Sequence, residues 1–83
     1  MELLYFAWVR ERVGVGHEHV DPPEAVRNVS DLIAWLAERG PGHAEAFADP
    51  SKLRAAIDQK FVQLDAVLGQ AKEVAIFPPV TGG

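Results

Sequence analysis

The sequence predicts an α+β fold, a mixed sheet of about five strands with one main helix packed across it. Three stretches carry that expectation. The chain opens on "ELLYFAWV", rich in aromatic and aliphatic residues with almost no polar alternation, as expected of a strand covered on both faces or central in a sheet. After Ser30 the apolar residues Leu32, Ile33 and Leu36 recur at helical spacing. Near the end, "EVAIF" forms a second apolar run stopped by Pro78 and Pro79.

The elements follow in order. The first strand occupies residues 2–9, and Gly14 and Gly16 in "RERVGVG" permit a turn into a short edge strand, "HEHVDPP", which its prolines close. Ser30 is placed to cap the helix, and Gly40 followed by Pro41 ends it. "GHAEAFADPS" adds at most a further helical turn. "LRAAIDQKFVQLD" supplies two extended pieces around a turn at 58–60, and "EVAIF" is the last strand. About ten residues of helix are marginal alone, so the helix must lie on the sheet. The economical closure puts the first and last strands side by side in the middle, which is the β-grasp, or ubiquitin-like, arrangement. The domain is expected to span 1–77 and to be followed by a flexible tail over 78–83.

Composition narrows the functions. Eighty-three residues build one small core with little room for a deep catalytic cavity. There is no cysteine, which removes thiolate nucleophiles, thiolate metal sites and disulfides, and fits a cytoplasmic location. Eight basic against twelve acidic residues give a net charge of -4, which disfavours nucleic acid and suits a partner with a basic surface. The uncharged run over 3–9 is far short of a membrane span and lacks the basic flank of a leader peptide.

Within the folded body no catalytic constellation stands out. His17 and His19 share one face of a strand, a metal-ligand spacing, but no third ligand is evident and they read as outward polar residues. His43 reads as a solvated loop residue, Ser30 and Ser51 as cap and loop residues, and the carboxylates as scattered surface charge. No metal site is expected. Neither a nucleophile elbow nor a phosphate-binding glycine loop is present.

The remaining chemistry is in "FPPVTGG". Its reactive group would be the main-chain carboxylate of Gly83, which is ionised at neutral pH and a poor acyl donor until another enzyme activates it, most simply as an adenylate formed with ATP. Without β-carbons, Gly82 and Gly83 can enter a narrow channel. Pro78 and Pro79 make a semi-rigid spacer, so 78–83 could project roughly 20 Å.

"FPPVTGG", with "YFAWVRERVG" and "AIDQKFV", resembles the molybdopterin synthase small-subunit family of ubiquitin-like sulfur carriers, over the whole chain. The resemblance implies a β-grasp fold and no permanently bound cofactor. It implies that a ubiquitin-activating-like adenylyltransferase uses ATP to adenylate Gly83, which then carries sulfur as a thiocarboxylate. It further implies a heterotetramer with the synthase large subunit, which supplies most catalytic residues, and delivery of sulfur to cyclic pyranopterin monophosphate. Residue by residue, Gly83 bears the sulfur and Gly82 fits the channel. Phe6, Phe61 and Phe77 form part of an apolar docking surface, with Pro78, Pro79, Val80 and Thr81 leading into the partner. Core packing is the competing assignment for the aromatics. Diglycine alone would also suit a carrier for thiamine or transfer-RNA thiolation, or an interaction domain that is never activated.

Overall fold

Leu3 and Tyr5 of β1 (Glu2–Tyr5) pack beside Val74 and Ile76 of β5 (Glu73–Phe77), and this parallel pair is the centre of the molecule. The computed structural model describes residues 1–79. β2 (His17–His19) pairs antiparallel with β1, and β3 (Arg54–Ile57) pairs antiparallel with both β5 and β4 (Lys60–Val62). The five-stranded order is β2-β1-β5-β3-β4, with the first and last strands adjacent, as expected. The tail residues Val80, Thr81, Gly82 and Gly83 lie outside the described residues.

Three helices pack on one face of this sheet. The first strand ends at Tyr5, and residues expected to extend it form α1 (Ala7–Val13) instead. Val9 and Val13, one helical turn apart, face the core, while Arg10, Glu11 and Arg12 are exposed. Gly14 therefore belongs to a helix end and not to a hairpin. At φ 99° it takes the left-handed conformation and donates its N–H to the Arg10 carbonyl at 2.9 Å.

α2 (Val29–Leu36) is the expected helix, but its cap is Asn28, whose side chain accepts from the Asp31 N–H at 2.7 Å. Asp31 answers by accepting from the Arg27 N–H at 3.1 Å. Ser30 lies inside the first turn and donates its N–H to the Leu64 carbonyl at 2.8 Å. Val29, Leu32, Ile33 and Leu36 are buried. At roughly 1.5 to 3 kcal/mol each, that burial sustains a helix too short to persist alone.

Gly40 and Pro41 begin a further helix, α3 (Pro41–Ala46), with Gly40 as its N-cap and Pro41 in its first turn. α3 crosses the end of α1 so closely that a β-carbon on Gly42 would lie 2.5 Å from the Arg12 carbonyl oxygen. A 3-10 turn at Pro50–Lys52 leads into β3. No described helix is long and apolar enough to cross a membrane.

α3 also changes the assignment of His43. Its side chain is 15% exposed, and its Nε2 lies 2.7 Å from Glu18 Oε2, which also accepts from the Tyr5 hydroxyl at 2.6 Å. Arg39 Nη2 approaches Glu18 Oε1 at 3.9 Å. One carboxylate on the edge strand β2 thus fastens β1 and α3 together and meets the segment that follows α2. The sequence does not show this, because the partners of Glu18 are up to 25 residues away.

The expected turn between β3 and β4 is made by Asp58 and Gln59, both left-handed at φ 47° and 72°. That is the twist a two-residue hairpin requires. Asp58 Oδ1 accepts from the Lys72 and Glu73 N–H groups at 3.1 and 3.0 Å, fixing the turn to the start of β5. Among the described residues Gln59 makes no such side-chain hydrogen bond. Gln59→Gly should raise stability by about 0.5 kcal/mol by removing β-carbon strain, net of backbone entropy. Urea unfolding checks this, and a lower midpoint contradicts it.

Candidate functional site

A regular strand alternates its side chains between two faces. In β1 and β5, Leu3, Tyr5, Val74 and Ile76 point to the helices, so Leu4, Glu73, Ala75 and Phe77 point the other way. The register then lines up one row across the sheet: His17 beside Leu4, Leu4 beside Ala75, Ala75 beside Ala56, and Ala56 beside Phe61. No described element covers this face, so the first strand is central in the sheet, as one of its two expectations had it, and not covered on both sides.

The row has low relief in its middle and high relief at its edge. Ala56 and Ala75 end at the β-carbon, so with Leu4 they floor a groove bordered by Phe6, Phe61 and Phe77. Phe61 is 81% exposed and Phe6 49%, whereas Phe77 is half-buried. Phe61 and Phe77 lean together with ring centroids 5.7 Å apart at 57°. Gln59 and Glu73 give the groove a polar margin, and Pro78 and Pro79 line it where β5 ends. The groove is therefore continuous with the root of the diglycine segment. This apolar surface with a polar margin is the candidate site.

The three aromatics singled out from sequence meet at this one groove, and none belongs to the core cluster. Leu4, Ala56 and Ala75 were missed. Period-two alternation in "EVAIF" would have exposed Ala75 and Phe77 as a pair, but an alanine carries no chemical signal of its own. Val80 to Gly83 fall outside the described residues, so their part in the site is a matter of chemistry and kinship.

His17 and His19 stand on the same open face, at the edge beyond Leu4. Glu2 lies between them: its Oε1 is 2.7 Å from His19 Nδ1, and its Oε2 is hydrogen-bonded to His17 Nε2. His19 Nε2 also meets Asp21 Oδ1 at 3.3 Å. Hydrogen bonds from His19 and then His17 hold the Glu2 carboxyl below its ordinary pKa, and the Glu2 hydrogen bond raises that of His19. These groups satisfy one another. Among the described residues no group of three or more His, Cys, Asp or Glu side chains is placed to hold a metal ion.

Comparison with known proteins agrees with this architecture. The profile of the ThiS family matches residues 3–83. The molybdopterin synthase sulfur carrier subunit of Escherichia coli is 41% identical over all of this chain and 99% of its own length. The protein of the same name from Haemophilus influenzae is 36% identical over 100% and 99%. Among solved structures, a putative molybdopterin converting factor, subunit 1, from Pyrococcus furiosus superposes with a TM-score of 0.74 at 30% identity, covering 95% of each chain. A β-grasp sheet, an uncovered apolar groove and full-length kinship together place this chain in the ThiS family.

Proposed function

We propose that this chain is the sulfur carrier subunit of a molybdopterin synthase. The observation that carries the reading is the apolar groove on the uncovered sheet face, running from Phe6 and Phe61 to the proline pair that precedes Gly82 and Gly83. A partner seated there would bury Phe61 and receive the diglycine segment in the same contact. The relatives named above are sulfur carriers of this synthase at 36% and 41% identity, which supports the large subunit as that partner.

The chemistry follows from the weakness of a carboxylate as an acyl donor. A ubiquitin-activating-like adenylyltransferase joins the Gly83 carboxylate to the α-phosphate of ATP with loss of pyrophosphate. A sulfide-level donor then displaces AMP from the acyl carbon, leaving a thiocarboxylate. In the large subunit the thiocarboxylate sulfur bonds to a carbon of cyclic pyranopterin monophosphate, and water then cleaves the acyl–sulfur bond, leaving the sulfur on the substrate and returning Gly83 to a carboxylate. Two carriers in turn supply the two dithiolene sulfurs. This chain holds no cofactor of its own in that cycle, and its work is delivery within a cytoplasmic heterotetramer.

The test is conversion of cyclic pyranopterin monophosphate to molybdopterin by the sulfur-loaded chain and a synthase large subunit. Wild type should convert; Gly82→Ala and a chain lacking Gly83 should not, while their unfolding free energies stay within about ±0.5 kcal/mol of wild type. Failure of the loaded wild type with a competent large subunit would turn the assignment toward thiamine or transfer-RNA thiolation.

A further inference from the structure

Among the described residues three non-glycine positions are left-handed: Ala7 at φ 53°, Asp58 and Gln59. The latter two make a hairpin turn, where that conformation is expected. Ala7 has no such reason. It is the first residue of α1, directly after Phe6, which alone joins α1 to β1, and both line the groove.

The corner is locally unfavourable in three ways. A β-carbon in the left-handed region is strained. Phe6 occupies the N-cap of α1, yet no side-chain cap hydrogen bond is made there, where Ser, Asp or Asn would supply one. Its ring is also half exposed to solvent, at 49%.

The geometry shows what this corner accomplishes. Alternation along β1 sends Tyr5 inward, 1% exposed, and Phe6 outward to the open face beside Leu4. Only three residues later Val9 is fully buried on the opposite side of the sheet. An extended residue at position 7 would carry the chain onward along the strand; the left-handed one reverses it, so that α1 enters the core while Phe6 stays at the groove. Backbone strain of this kind persists where its surroundings hold it, and clusters at functional surfaces.

We infer that Ala7 is a positioning residue whose left-handed backbone holds the Phe6 ring ready at the groove for the partner. The inference rests on the large subunit being that partner, as proposed above. A ring held in place before contact loses less freedom on binding, so releasing it weakens binding without removing any contact atom.

Ala7→Gly tests this, because glycine accepts the same φ with no strain yet leaves the backbone free. In the free chain, NMR should show greater side-chain mobility at Phe6 with a melting temperature equal to or above wild type. The Kd for the large subunit should rise roughly five-fold. In a Phe6→Ala background the same Ala7→Gly change should leave Kd unaltered, since the residue acts through the ring. Wild-type affinity and Phe6 mobility in Ala7→Gly would overturn the inference. So would an equal loss of affinity in the Phe6→Ala background, or a lowered melting temperature, which would make the corner merely structural. If the wild-type chain does not bind the large subunit at all, the functional assignment falls, and the NMR comparison still decides whether Ala7 restrains Phe6.

Discussion

Truncating Phe61 or Phe77 to alanine should weaken binding to the synthase large subunit by about 2 kcal/mol or more, roughly 30-fold in Kd, if each ring acts as a buried anchor. Phe61 is 81% exposed in the free chain, so most of its surface remains to be buried by a partner. Its ring already leans on Phe77 at 5.7 Å, which limits the freedom lost on docking. Fold stability should change little for Phe61→Ala, because neither ring belongs to the core cluster and the aromatic pair itself contributes only about 0.5 to 1.5 kcal/mol. Calorimetric titration with the large subunit, beside thermal unfolding of each variant, checks both halves. Unchanged affinity for both variants would remove the groove from the interface, and unfolding of Phe61→Ala would make its ring structural.

The largest stability effect outside the apolar core is expected at Glu18. Replacing it by alanine leaves the buried Tyr5 hydroxyl without its acceptor and frees His43, at a cost of about 2 to 3 kcal/mol. The same site sets an acid limit. Burial by itself would raise the Glu18 pKa, but hydrogen bonds from Tyr5 and His43 outweigh it and hold the carboxyl below its ordinary value. Burial, and then the Glu18 contact, push the Tyr5 hydroxyl pKa up, so it remains a protonated donor. With the folded value below the unfolded one, the contribution of Glu18 is present above the ordinary carboxylate range, near ~4.3, and is lost as pH falls through the folded value. His19 has the opposite sign: its raised pKa adds stability below its ordinary value that disappears as pH rises through the folded one. Urea midpoints of wild type and Glu18→Gln should therefore differ at pH 7 and converge towards pH 3. A constant difference across that range would contradict the assignment.

Much of this architecture was legible because its signals are local. β5 is a bounded apolar run, α2 shows helical spacing, and the 58–60 turn separates two short extended pieces. Length and composition then left few ways to close a sheet around one helix. α1 was not legible, since "YFAWV" is aromatic and β-branched enough to read as strand, and only the Val9 and Val13 spacing betrays a helix. His43 looked solvated because its partner, Glu18, lies on another element. At the candidate site the aromatics were legible by type, whereas Leu4, Ala56 and Ala75 became visible only through register. Small side chains shape a groove by what they omit. The left-handed Ala7 leaves no trace in composition, since alanine is an ordinary helix former.

The most direct test of sulfur carriage is the intact mass of the chain after incubation with a ubiquitin-activating-like adenylyltransferase, ATP and a sulfide-level donor, either sulfide itself or a persulfide together with a thiol reductant that cleaves the acyl disulfide it forms. The expected result is a gain equal to one oxygen replaced by one sulfur, localised to Gly83, dependent on ATP, and absent when Gly83 is deleted. An unchanged mass with an enzyme shown to load another carrier would contradict sulfur carriage by this chain.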